Sequence, residues 1–136
     1  MTFIDTAGLF AVRDRDDADH LAAQETWGRL FLSDRELVTT SYVILETCAL
    51  MQRRLGLESV RLLHEKIYPR LHVEWVDAHI HEIAVTVLLS AGRRHLSLVD
   101  CVSFQVMRQL GINEVFTFDE HFREQGFDVI PTAPLS

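Results

Sequence analysis

Apolar positions along the chain alternate between two periods. Short runs at Thr2–Asp5, Leu37–Thr39, His72–Val76, Val115–Phe118 and Asp128–Ile130 predict strands. The stretches between them carry apolar residues at helical spacing. Thr6–Val12 predicts a short helix. The charged connection RDRDDADH (13–20) leads into a helix of about 13 residues that ends near Leu32. Thr40 or Ser41 caps the strongly apolar helix YVILETCALMQRRL, which Gly56 closes, and a helix over Leu57–Tyr68 stops at Pro69. Ala78–Ser90 is helical, AGRRHLS is a loop, and Ser97 opens a helix whose stripe is Val99, Val102, Val106 and Leu110 before Gly111 ends it. A short helix over Glu120–Gln125 precedes the last strand, and Pro131 and Pro134 end the fold. Strands and helices alternating in this way argue for a three-layer α/β/α sandwich around a parallel sheet of about five strands. Residues 1–136 are expected to form one domain.

Composition narrows the class. With 48% apolar and 24% charged residues, the chain is globular rather than disordered. No apolar run reaches the ~18 residues that span a bilayer, so no membrane association is expected. The start, MTFIDTAGLFAVRD, lacks a basic leader and carries Asp5, unlike a signal peptide. Cys48 and Cys101 sit inside apolar helical patterns and read as small buried hydrophobes, which suits a reducing cytoplasm. The net charge of −7 argues against simple electrostatic attraction to nucleic acid. Yet the cations are twelve Arg and a single Lys, Lys66, and Arg is the better bidentate partner for phosphate. Carboxylates concentrated around a metal also make an acidic protein compatible with phosphodiesters.

Four acids carry the candidate chemistry. Asp5 ends the first strand and Asp119 follows the fourth. Asp100 lies three residues after the cap Ser97. A helix packed on a parallel sheet runs against its strands, so its start shares an edge with the strand ends. Asp5, Asp100 and Asp119 therefore face the carboxyl edge, where open α/β sheets bind ligands. Each serves equally well as a helix N-cap, Asp100 through a Ser-x-x-Asp box. Glu46 does not. Its helical neighbours are Tyr42, Val43, Ala49 and Leu50, and a carboxylate in such a stripe needs a partner or a metal. It lies ~8 Å below the same edge at 1.5 Å per residue. Like charges brought together require protonation or a cation, and hard oxygen ligands suit Mg²⁺ or Mn²⁺. His79 and His81 do not share a helical face and read as surface residues.

Four segments, FIDTAGLFA (3–11), TTSYVILETCALM (39–51), LSLVDCVSFQVMRQLGI (96–112) and VFTFDEHFREQGF (115–127), make the chain resemble the PIN-domain nucleases, and within them the VapC-like toxins of type II toxin–antitoxin pairs. The resemblance implies a PIN-like fold and metal-dependent endoribonuclease activity, with Asp5, Glu46, Asp100 and Asp119 on the family's acidic positions as catalytic and metal-holding residues. It places Thr6 and Thr117 where the family often has an auxiliary hydroxyl. It also implies Mg²⁺ or Mn²⁺ as cofactor, products with 5′-phosphate and 3′-hydroxyl ends, a homodimer and a small antitoxin partner. In the metal-assisted hydrolysis so implied, Asp5 and Asp100 are the main ligands, and Glu46 and Asp119 hold a second ion or its waters.

Arg93, Arg94 and His95 in the loop before Asp100, Arg13 and Arg15 after the first helix, and Arg123 after Asp119 are the candidate RNA phosphate contacts, each equally readable as solvated surface charge. A housekeeping RNA-processing nuclease and a catalytically silent PIN-type binding module are the alternatives. A phosphoryl-accepting domain fits poorly: the single Lys is mid-chain, and Asp5-Thr6-Ala7 is not Asp-x-Asp.

Overall fold

A computed structural model of the chain describes residues 1–132; Pro134 lies outside the described residues. The elements run β1 (Thr2–Ile4), α1 (Thr6–Arg13), α2 (His20–Leu32), β2 (Leu37–Thr40), α3 (Ser41–Arg54), α4 (Leu57–Leu62), β3 (His72–Glu74), α5 (Ala78–Ala91), α6 (Leu98–Leu110), β4 (Glu114–Phe116), α7 (Glu120–Glu124) and β5 (Asp128–Ile130). The five strands form one sheet in the order β3-β2-β1-β4-β5, every pairing parallel. The chain moves outward from β1 through β2 to β3, then returns to place β4 on β1's other side. The β1/β4 boundary is thus a topological switch point, where the strand ends open a crevice.

Successive strand residues point to opposite faces, and the core divides accordingly. Phe3, Val38 and Val115 pack with Val102, Val106 and Met107 of α6 and with Phe122 and Phe127. Ile4, Leu37 and Phe116 pack on the other face with Leu9 and Phe10 of α1, Ala23 and Trp27 of α2, and Met51 of α3. These two apolar layers give the α/β/α sandwich. Each fully buried Phe or Ile contributes roughly 1.5–3 kcal/mol relative to exposure. One close approach needs a missing side chain: a Cβ on Gly8 would lie 2.8 Å from the Phe116 ring and from its carbonyl oxygen. That contact lets α1 lie directly on β4.

The segment expected to be one helix over Leu57–Tyr68 is divided. After Leu62 the backbone widens into a π-turn over Leu63–Ile67, with the Tyr68 N–H reaching the Leu63 carbonyl, then tightens to a 3₁₀ turn over Tyr68–Arg70. Pro69 has no N–H to donate and its ring crowds the preceding turn, so the α-helical ladder cannot run up to it. The expected stripe of α6 is also partly revised. Val102 and Val106 are buried, but Leu110 at its end is 38% exposed.

Candidate active site

The three aspartates reach the crevice because each sits at a helix N-terminus, Asp5 and Asp119 as caps and Asp100 as the third helical residue of a capping box. Asp5 accepts from the Ala7 N–H at 3.4 Å and opens α1. Asp119 accepts from the His121 N–H at 2.9 Å and opens α7. Ser97 and Asp100 form a reciprocal capping box on α6, with the Ser97 N–H donating to Asp100 Oδ2 at 3.2 Å and the Asp100 N–H to Ser97 Oγ at 3.0 Å. Capping and function are not competing explanations here. The caps hold the carboxylates at helix N-termini, whose dipoles favour negative charge.

Thr117, just past β4, ties two of them together. Its hydroxyl donates to Asp5 Oδ2 at 2.7 Å and accepts from the Asp119 N–H at 3.0 Å. The Thr6 hydroxyl does not face the acids. It meets the Val43 carbonyl at 3.4 Å and the Thr47 hydroxyl at 3.0 Å, joining α1 to α3. What Thr6 offers Asp5 is its backbone N–H.

Burial and mutual repulsion set the electrostatics. Asp5 is 3% exposed, and burial, helped by the charges of Asp100 and Asp119, pushes its carboxyl up to about 7 despite the Thr117 hydrogen bond. Burial raises Asp100 to about 6, with Asp119 and Glu46 adding to the rise and the Ser97 hydrogen bonds opposing it. Glu46 is half-buried rather than enclosed, because its neighbour Ala49 is exposed. Its charge nonetheless reaches Asp100. The structure thus brings all four acids into one electrostatic group. Desolvated carboxylates of this kind, all hard oxygen donors, fit a divalent cation.

A residue not anticipated from the sequence completes the group. His121 Nδ1 lies 2.8 Å from Asp119 Oδ1 and 3.9 Å from Asp100 Oδ2. Nδ1 is buried, yet among the described residues it makes no hydrogen bond: the Asp119 oxygen does not lie in line with it and the Asp100 oxygen is too far. An orphaned buried polar group of this kind costs about 1–3 kcal/mol. The available signal was Asp119-Glu120-His121, an imidazole two residues past a capping acid whose carboxylate binds its backbone N–H. His79 is exposed, as its helical position predicts. His81 is not a plain surface residue, since its Nδ1 is 2.5 Å from the Tyr42 hydroxyl, joining α5 to α3.

The candidate phosphate contacts are dispersed. Arg93 is exposed and pairs with Glu124 at 2.7 Å. Arg123 is held bidentately by Glu120 at 2.6 and 2.7 Å. Arg94, His95 and Arg15 are exposed. Arg13 closes α1, about 12 Å along the axis from Asp5, and its Nε is buried without a hydrogen-bond partner among the described residues.

This acid-lined crevice at the β1/β4 switch point goes with a known family. Residues 2–128 match the PIN domain, and the chain belongs to the PIN-domain family. Among characterised proteins it is similar to the 23S rRNA-specific endonuclease VapC20 of Mycobacterium tuberculosis, with 33% identity over 128 residues, 93% of this chain and 95% of that one. The crystal structure of M. tuberculosis VapC20, described as a sarcin–ricin loop cleaving toxin, matches with a TM-score of 0.84 at 30% identity, over 98% of this chain and 100% of the other. FitAcB from Neisseria gonorrhoeae shares the fold, with a TM-score of 0.64 at 16% identity over 95% of this chain and 96% of that one.

Proposed function

We propose that the chain is a metal-dependent endoribonuclease that hydrolyses RNA phosphodiester bonds, the toxin of a type II toxin–antitoxin pair, with a structured loop of large ribosomal RNA as substrate. The observation that carries the chemistry is the pair of buried carboxyls, Asp5 raised to about 7 and Asp100 to about 6, at the carboxyl edge of the sheet. The substrate is supported by 33% identity to a 23S rRNA endonuclease across 93% of the chain.

Asp5 and Asp100 would hold the cation, with Glu46 and Asp119 completing its surroundings. A bound Mg²⁺ or Mn²⁺ supplies a Lewis acid that neutralises phosphate charge and lowers the pKa of water. The protein's own part is positional. Thr117 fixes the Asp5 carboxylate, the Ser97 box fixes Asp100, and the His121 N–H fixes Asp119. Arg93, Arg94, Arg13 and Arg123 are the proposed phosphate contacts. Water as the nucleophile, with the 3′ oxygen as the leaving group, would give the 5′-phosphate and 3′-hydroxyl ends that the family resemblance implies.

A cytoplasmic homodimer with a small antitoxin partner belongs to the same proposal. Support comes from large apolar side chains left exposed, Leu45 on α3, Leu57 on α4, Trp75, and Val87 and Leu89 on α5. Among the described residues no helix is long and apolar enough to cross a membrane. The test is incubation of purified protein and Mg²⁺ or Mn²⁺ with intact large ribosomal RNA, followed by mapping of cut positions and end chemistry. A discrete cut with a 5′-phosphate is expected. Cyclic-phosphate ends, or no cleavage of any RNA, would remove the proposal.

A further inference from the structure

His121 holds a nitrogen that makes no hydrogen bond among the described residues, beside the carboxylates of Asp100 and Asp119. The side chain is 16% exposed, between Asp100 at 10% and Asp119 at 29%. Nδ1 is buried and without a hydrogen bond, although carboxylate oxygens lie 2.8 and 3.9 Å away. A buried nitrogen that makes no hydrogen bond, with one carboxylate oxygen misaligned at 2.8 Å and another too far at 3.9 Å, leaves room for a third atom among them. One ligand atom from each of Asp100, Asp119 and His121 lies within 4.8 Å of the other two. Around an ion with bonds of about 2.1 Å, adjacent octahedral donors are about 3.0 Å apart and opposite ones about 4.2 Å. Of the two separations from Nδ1, 2.8 Å is close to that of adjacent donors and 3.9 Å lies between adjacent and opposite ones.

We propose that His121 is a nitrogen ligand in this centre, so that Asp100, Asp119 and His121 form a mixed oxygen–nitrogen cation site that prefers Mn²⁺ to Mg²⁺. This rests on the metal-dependent function proposed above and specifies its cation. Mg²⁺ is a hard ion that keeps oxygen ligands and water, whereas a transition ion gains from imidazole. The rival role for His121 is a fixed positive counter-ion to the two carboxylates. A counter-ion repels a metal; a ligand contributes an electron pair to it.

The experiment uses the full chain stripped with EDTA and then loaded with Mn²⁺ alone. Electron spin-echo spectroscopy of the bound Mn²⁺ reads imidazole ¹⁴N directly, without reference to activity. The wild type is expected to show ¹⁴N modulation, and His121→Asn, which offers an amide oxygen near the Nδ1 position, to lose it. Calorimetry is expected to show Mn²⁺ binding at least about tenfold tighter than Mg²⁺ in the wild type, with His121→Asn losing most of that ratio on the Mn²⁺ side. Bound Mn²⁺ without ¹⁴N modulation, or modulation unchanged in the variant, would overturn the assignment of His121 and leave metal dependence standing. Failure of the wild type to bind Mn²⁺ or Mg²⁺ would remove both. Should His121→Asn not fold, the presence or absence of the wild-type ¹⁴N signal decides.

Discussion

Asp5→Asn should make the metal-free protein more stable, by an amount that grows as pH rises from about 4 and is complete above about 7. Asp5 ionises near 3.8 in an unfolded chain but near 7 in the folded one, where it is buried beside Asp100 and Asp119. Below the lower value both states carry the proton and nothing changes with pH. Between the two values the folded state keeps a proton that the unfolded state has released, so stability falls as pH rises, and the loss is complete above the folded value. At 1.36 kcal/mol per pH unit, this one group removes about 4 kcal/mol between the two limits. Asparagine cannot ionise, and its amide oxygen can still accept the Thr117 hydroxyl, now 2.7 Å from Asp5 Oδ2. The assay is urea denaturation of both proteins in EDTA across this pH range. Near pH 4 the midpoints should nearly coincide. Near pH 8 the variant should exceed the wild type by up to about 4 kcal/mol, a midpoint shift on the order of 2 M for a slope of about 1–3 kcal/mol per molar. Adding Mg²⁺ at 100 times its Kd should return about 2.7 kcal/mol to the wild type and much less to the variant. Parallel pH curves, or a variant less stable near pH 8, would refute the reasoning.

Glu46→Gln should cripple cleavage while changing metal-free stability by less than about 1 kcal/mol, because Glu46 is half-buried and contributes least among the causes that raise Asp100; a cleavage assay beside thermal melting checks both. Replacing Arg93 and Arg94 together with Ala should weaken RNA binding across sequences and flatten the salt dependence of log K by about 1.4 if each meets one phosphate of a single strand; an unchanged slope would return them to ordinary surface charge. Gly8→Ala should destabilise by about 1–3 kcal/mol or more, because the new methyl meets Phe116 backbone as well as ring at 2.8 Å; urea denaturation measures it.

Which features the sequence made legible follows from where each residue sits. Asp5, Asp100 and Asp119 occupy element boundaries, and the direction of a βα unit fixes the edge at which a boundary lies. Their placement needed only the alternation of strands and helices. Their double role was also visible, since the Ser97–Asp100 box reads from spacing and forms. Glu46 was located by its apolar neighbours, but the depth of its burial depends on which side of α3 meets the sheet, and Leu45 and Ala49 turned outward. Thr6 shows the limit of position alone. One residue past Asp5, its hydroxyl rotates toward Val43 and Thr47 on α3, a contact no local pattern specifies. His121 was hidden for a related reason. Pairwise metal spacings on a helix do not register a ring beside a capping acid two residues earlier. The π-turn at Leu63–Ile67 came from Pro69 acting on the turn before it, whereas the sequence showed only where the helix stops.

The central claim is that these acids cut RNA through a divalent cation. Its most direct measurement is the cleavage rate of one defined RNA by wild type and by Asp100→Asn, each in Mg²⁺, in Mn²⁺ and in EDTA, with circular dichroism confirming that both are folded. The account predicts cleavage by the wild type with either metal, none in EDTA, restoration when metal is returned, and background rates for Asp100→Asn throughout. Full wild-type activity in EDTA, or a folded Asp100→Asn that cuts at the wild-type rate, would contradict it.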